Sequence, residues 1–233
     1  MSNSENKIYN IKVLEFRNYL LEPGLTRKFK KHFHSKFVDV MQTLKGYTLG
    51  EFAISGKQNR FVWLRGFADM TTRLKFLNDF YINGDTWKKY GSGANEMMIN
   101  SDNVHLLKPL KNSFFEVSDK QITVIDFCYC NGTLEKTIKF FENTYLPFLA
   151  TKGIHDISLW LSEMTENDFP RLPVFQDKNL LLTISNFGDN KEYKLKQKLI
   201  TGMNADLKKT ILKFVTIHHS LKLINLNYKK HKL

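Results

Sequence analysis

Cysteine is nearly absent from this chain. Two occur in 233 residues, Cys128 and Cys130. Two positions apart on a strand they share a face, where a bridge would strain the backbone. They read as free buried thiols, which suits a reducing, cytoplasmic setting. Long apolar runs are missing too: no stretch approaches the roughly 18–20 residues that a membrane span needs. Residues 1–7 are polar and include an acid, so they lack the apolar segment of a secretion signal. The sequence has no His-x-x-x-His, no Cys-x-x-Cys, no phosphate-cradling glycine loop and no nucleophile elbow. Those absences leave no motif for a metal or a nucleotide cofactor. No cofactor is predicted; haem stays open only through the histidines.

What is present is apolar and basic. Hydrophobic residues make up 42% and aromatic residues 13%, with 19 Phe, and the formal net charge is +12. That composition supplies a packed core. The positive charge is spread along the chain, with small concentrations at Arg27-Lys28-Phe29-Lys30-Lys31 and Lys229-Lys230-His231-Lys232. Such charge draws anionic partners, but here it reads as a solvated helix face and a basic tail.

The sequence repeats an order of features. Tyr19-Leu20-Leu21-Glu22-Pro23-Gly24, an amphipathic basic stretch, Lys45-Gly46 and Phe67-Ala68-Asp69 return as Tyr129-Cys130-Asn131-Gly132, a second stretch, Lys152-Gly153 and Phe187-Gly188-Asp189. A period of about 110 residues exceeds solenoid repeats and implies two units of one fold, 8–110 and 115–226. Alternating residues 8–20 predict a strand. Apolar positions from Leu25 to Leu44 recur at three and four and predict a helix, ended by Lys45-Gly46. A hairpin follows over 47–55 and 60–68. Asp69 caps a second helix on Met70, Leu74, Leu77 and Phe80-Tyr81. Residues 83–95 read as a looser segment, and 97–110 as a strand with a candidate break near Ser101-Asp102-Asn103. The second unit reads as strand 122–129, helix 133–151 kinked by Pro147, strands 154–163 and 179–187, helix 190–208 and strand 213–225. The fold class is therefore α+β: two tandem ferredoxin-like β-α-β-β-α-β halves. Their first strands are apolar on both faces, so the antiparallel sheets should face each other as an α/β barrel. Between 164 and 178 lies a long connection with Pro170 and Pro173, a length typical of lids and partner contacts.

Leu14-Glu15-Phe16-Arg17-Asn18-Tyr19, followed by Pro23-Gly24, resembles the opening of the NIPSNAP family. Phe29 and His34, Trp63 and Phe67, and Leu106-Leu107-Lys108-Pro109 fit the same pattern. The resemblance covers 8–110; the second half fits by fold pattern alone. It implies the dimeric α/β-barrel superfamily, in which two ferredoxin-like sheets face each other. Members include cofactor-free monooxygenases, haem-handling enzymes, lactone isomerases and proteins of no known reaction. The resemblance thus gives fold more than function, and it leaves a homodimer open.

Glu15, Arg17 and Tyr19 share one strand face. An arginine with a carboxylate and a phenol can bind an anionic or enolic ligand. Phe61, Trp63, Arg65 and Phe67 share another face, suited to stacking on a planar ligand. From these two sets Glu15, Arg17, Tyr19, Trp63 and Arg65 are the candidate ligand-binding residues: the last four are predicted to wall a cavity inside the barrel, with Glu15 pairing an arginine. His105 is the candidate base, with His219 as its counterpart in the second half. His218 and His219 should point to opposite faces. The predicted function is a small-molecule-binding barrel, oxygenase- or isomerase-like on a hydrophobic or aromatic substrate. The alternative is a noncatalytic interaction module that uses the basic surface and the 164–178 segment. Arg65-Gly66-Phe67-Ala68 begins like the third-strand motif of an RNA-recognition domain. It runs into Asp69-Met70-Thr71-Thr72, a helix start, so nucleic acid is not the expected partner.

Overall fold

The computed structural model describes residues 8–111, 114–116, 119–203 and 205–227. The basic stretch 229–232 and residues 1–7 lie outside the described residues. The strands are β1 (Ile8–Asn10), β2 (Val13–Leu21), β3 (Tyr47–Ile54), β4 (Arg60–Phe67), β5 (Met98–Asn100), β6 (Val104–Pro109), β7 (Phe114–Glu116), β8 (Ile122–Cys130), β9 (Ile157–Ser162), β10 (Leu180–Phe187) and β11 (Val215–Asn225). The helices are α1 (Thr26–Phe33), α2 (Asp39–Thr43), α3 (Met70–Leu77), α4 (Asp85–Asn95), α5 (Leu134–Phe140), α6 (Leu146–Thr151), α7 (Asn190–Thr201) and α8 (Ala205–Phe214).

Eight strands close an antiparallel barrel in the order β4-β3-β11-β8-β10-β9-β6-β2, with β2 pairing back to β4. Each half supplies four strands in the predicted order, and the seams are β3–β11 and β6–β9. The first predicted strand, 8–20, is two strands: β1 leaves the barrel and pairs with β7.

The barrel interior is filled. Leu14, Phe16, Leu64, Leu107, Phe127, Trp160, Leu182 and Leu223 pack there with further buried side chains, so that all eight strands contribute. Gly66 sits where a Cβ would come within 2.7 Å of Ile11 and Leu49 side-chain carbons, so this strand glycine makes room for side chains from beside its two neighbouring strands.

Helices cover the outside. Phe29, Phe33, Phe37, Phe76 and Phe80 pack on Tyr19, Phe61, Trp63 and Phe67 in one aromatic layer. α1 and α2 form one helical run, interrupted by a π-helical turn at His34–Val38. The second half repeats the device at Phe141–Tyr145, just before α6. There Pro147 at the start of α6 explains it, because proline cannot donate into the preceding turn. Residues 83–95, read as loose, are mostly helix α4. The helix predicted at 190–208 is two helices parted at Gly202. At the end of α2 the left-handed residue is Lys45 (φ 67°), not Gly46. Gly46 is required instead by Phe76, whose ring would lie 2.4 Å from a Cβ there.

Candidate functional site

β2 is inverted relative to expectation. Leu14 and Phe16 face the lumen, while Glu15, Arg17 and Tyr19 face outward beneath the helices. Phe61, Trp63, Arg65 and Phe67 on β4 face the same way. The two sets therefore do meet, in one buried layer, but outside the barrel rather than inside it. The reason lies in the second face: a lumen packed by eight strands has no room for Arg17 and Arg65, whereas the outer layer holds them on Glu15 beside Arg73 of α3, with the Tyr81 phenol as a further acceptor.

Glu15 is the centre. Its Oε2 accepts from Arg17 Nη1 at 2.9 Å and from Arg65 Nε and Nη2 at 2.8 and 2.6 Å. Its Oε1 accepts from Arg73 Nε at 2.7 Å. All four side chains are at most 1% exposed. Burial alone would raise the Glu15 carboxyl, but Arg65, Arg73 and Arg17 outweigh it and hold it well below the usual carboxylate range. Three guanidiniums on one carboxylate leave the cluster net positive, though Asp168 comes within 3.7 Å of Arg73 from the surface.

Two phenols complete the layer. Arg17 Nε donates to Tyr19 Oη at 2.7 Å, and Arg65 Nη1 donates to Tyr81 Oη at 3.1 Å. Each phenol oxygen is thus an acceptor for an arginine and keeps its own O–H to donate. Burial raises the Tyr19 hydroxyl above its ordinary value despite the opposing Arg17 charge, so it stays a neutral donor. Arg17 lies 5.5 Å from the Trp63 ring centroid and Arg65 5.1 Å from it, which adds cation–π attraction.

A cavity of about 230 Å³ opens onto this layer. Arg17, Tyr19, Tyr81 and Trp87 form its inner wall, with Phe169 and Arg171 from the 164–178 connection at its mouth. That connection is anchored on the first half: Arg73 Nη1 donates to Asn167 Oδ1 at 3.0 Å, and Phe169 is buried in the aromatic layer. Of the predicted residues, Arg17 and Tyr19 line the cavity. Glu15, Trp63 and Arg65 stand behind it.

His105 does not belong to this site. It pairs with Phe16 on the lumen side, 5.1 Å from Phe127, which stacks on His219 at 4.1 Å. Burial and the nearby His219 pull His105 down to about 4, only partly offset by Asp177. The barrel wall separates it from Arg17, so it cannot serve as a base there. His218 and His219 do not point apart: a bulge between Ile217 and His219 brings their Nδ1 atoms to 2.9 Å.

Sequence reasoning missed Arg73, Tyr81, Trp87, Phe169 and Arg171. A signal existed for the first. The buried stripe of α3 is Arg73, Phe76 and Leu77, continued by Phe80, not Met70 and Leu74. An arginine on an apolar stripe is a buried charge in search of a partner. Arg65 and Phe67 are fully buried, so the RNA-like segment presents neither a cation nor a ring to a nucleic acid.

No family model matches the chain, and no curated protein matches it. Solved structures do. A candidate monooxygenase from Fusobacterium nucleatum aligns over 97% of both chains at 11% identity and a TM-score of 0.58. An anthrone oxidase-like protein aligns over 95% of both at 6% identity and a TM-score of 0.55. A NIPSNAP family protein from Agrobacterium tumefaciens aligns over 48% of this chain and 93% of its own, at 13% identity and a TM-score of 0.39. The full-length alignments establish the fold: this chain is similar to α/β barrels of the dimeric type, closed here within one chain.

Proposed function

We propose that the chain binds a small aromatic or enolic anion in the cavity at Arg17 and Tyr19. The observation that carries this is a buried, net-positive arginine cluster bordering a cavity walled by aromatic rings. Arg17 offers charge. Tyr19 and Tyr81 offer hydroxyl groups to the same space, the arrangement that stabilises an oxyanion. An apolar cavity of about 150 Å³ takes benzene, so about 230 Å³ suits a substituted single ring. Tyr81 and Trp87 supply the faces against which such a ring would stack.

An oxygenase- or isomerase-like reaction is the proposed chemistry. An enolate or phenolate held in this way is electron-rich. It can return a proton to a different carbon, or give electrons to dioxygen: a methylene carbon then loses both its C–H hydrogens, one oxygen atom becomes its carbonyl oxygen, and the other leaves as water carrying those two hydrogens. The described lining has no Asp, Glu or His. The site therefore suits substrates acidic enough to ionise once their anion is stabilised. The fold shared with a candidate monooxygenase and an anthrone oxidase-like protein is compatible with this reading, and at such low identities carries no more than fold.

The test compares 2-hydroxybenzoate with its uncharged O-methyl methyl ester by calorimetry on the wild type, Tyr81→Phe and Arg171→Ala. The anion should bind, the neutral analogue should bind at least about tenfold more weakly, and both substitutions should weaken the anion selectively. Equal affinity for both compounds would overturn the preference for an anion, and binding of neither would leave the interaction-module reading, in which the 164–178 connection is a contact surface.

A further inference from the structure

Asp126 occupies on β8 the place that Glu15 occupies on β2. Each precedes a lumen-facing phenylalanine, and those two rings, Phe16 and Phe127, meet at 5.3 Å. The surroundings differ completely. Arg65, which faces Glu15 across the strand pair, is replaced by Thr183, which faces Asp126. Arg17, two residues after Glu15, is replaced by Cys128. Arg73, four residues after the cap Asp69, is replaced by Tyr193, four after the cap Asp189. All three cations are gone while the carboxylate stays.

Asp126 Oδ2 accepts a hydrogen bond from Thr183 Oγ1 at 3.2 Å, and the Ser220 hydroxyl donates to it as well. Among the described residues no ion pair reaches it. Asp126 is half-buried, and a carboxylate drawn partly out of water with hydroxyl partners alone is under-compensated. It does not face closed packing either. It lines a partly enclosed cavity of about 50 Å³ between the sheet and the helices of the second half. Val124, Phe141, Leu149 and Ile211 make the walls apolar, and Ser185 and Gln197 add polar atoms. Since about 10–15 Å³ holds one water, the space admits a few heavy atoms. Its roof is loosely held, for neither α7 nor α8 contributes a fully buried side chain.

We propose that this cavity is a second ligand site, for a primary ammonium on a short alkyl chain, with Asp126 as counter-ion. The ammonium has three donors and no acceptor, which Asp126, Thr183 and Ser185 can receive. The aliphatic walls take the chain. Burial raises the Asp126 carboxyl, and a bound cation would reverse that by favouring its charged form. The two halves would then hold ligands of opposite charge at matching places.

The experiment titrates butylammonium chloride into the full chain at neutral pH and follows the melting temperature and ligand-observed NMR. Sodium chloride and butan-1-ol serve as matched controls. A saturable rise in melting temperature is expected for butylammonium alone. Asp126→Asn keeps the shape, removes the charge and should weaken binding at least about tenfold. If that variant fails to fold, Ile211→Trp fills the cavity from a half-buried position and should abolish binding. Tyr81→Phe, in the other pocket, should change nothing, so failure there is separable from failure here. No saturable effect beyond the controls, undiminished binding in Asp126→Asn or Ile211→Trp, or loss in Tyr81→Phe would each overturn the proposal.

Discussion

Glu15 is the residue on which the outer layer depends. Removing its charge leaves three buried guanidiniums facing one another. Glu15→Gln is therefore expected to cost about 3–5 kcal/mol, the usual penalty for breaking a buried pair from one side. Urea denaturation measures it; a loss under 1 kcal/mol (about a fivefold change in the folding equilibrium) would contradict the account. The same carboxyl sets an acid limb. Its folded value is depressed far below the unfolded one, so its contribution is complete above the unfolded value and is lost as pH falls below that. The wild type should lose stability steadily on acidification below the carboxylate range, and Glu15→Gln should show a shallower decline. His105 adds a second, separate limb. Its value of about 4 lies below the ordinary 6.5, so folding favours the neutral ring. Stability should fall as pH drops from 6.5 toward 4, and His105→Leu should flatten that interval. At this scale the sequence was half legible. Alternation showed that Glu15, Arg17 and Tyr19 travel together. It could not say which face, because Leu14, Phe16 and Leu20 are as suited to a lumen as to a helix layer. Only the closed ring, with no space for arginine inside, decides.

Among the elements, the 164–178 connection matters most to the cavity. It departs from the second half, yet Asn167 bonds Arg73 and Phe169 enters the aromatic layer of the first. Phe169→Ala should cost about 3 kcal/mol through the void it leaves. It should also weaken binding of the aromatic anion by removing the mouth of the cavity. A variant of wild-type stability and affinity, measured by calorimetry, would show that the connection is not part of the site. Its two prolines and its length marked it as unusual in the sequence, but nothing in its residues named the partner. Helix α4 was hidden by Gly84, Gly91 and Gly93, which lower helix propensity. It forms because Trp87 packs on Phe37, Phe80 and Tyr81, a tertiary contact that propensity does not register.

For the whole molecule, the repeat and the doubly apolar first strands were enough to predict a barrel. They did not point to the cavity at Arg17 and Tyr19, because the lumen looked like the enclosed space and is in fact filled. The halves share that lumen and the seams β3–β11 and β6–β9, so we propose that 8–110 and 115–226 melt in one cooperative calorimetric transition. Two resolved transitions would mean that the shared core is weaker than either half. The claim that joins the scales is that the working cavity lies outside the barrel, under the helices, and favours an oxyanion. A chromophoric phenol reads this directly. 4-Nitrophenol is nearly colourless as the acid and yellow as the anion. The account predicts that, below its solution midpoint, the wild type turns it yellow on binding. His105→Leu, at the lumen, should do so equally, and Tyr81→Phe should not. Colour development that depends on His105 and not on Tyr81, or binding of the colourless acid alone, would contradict it.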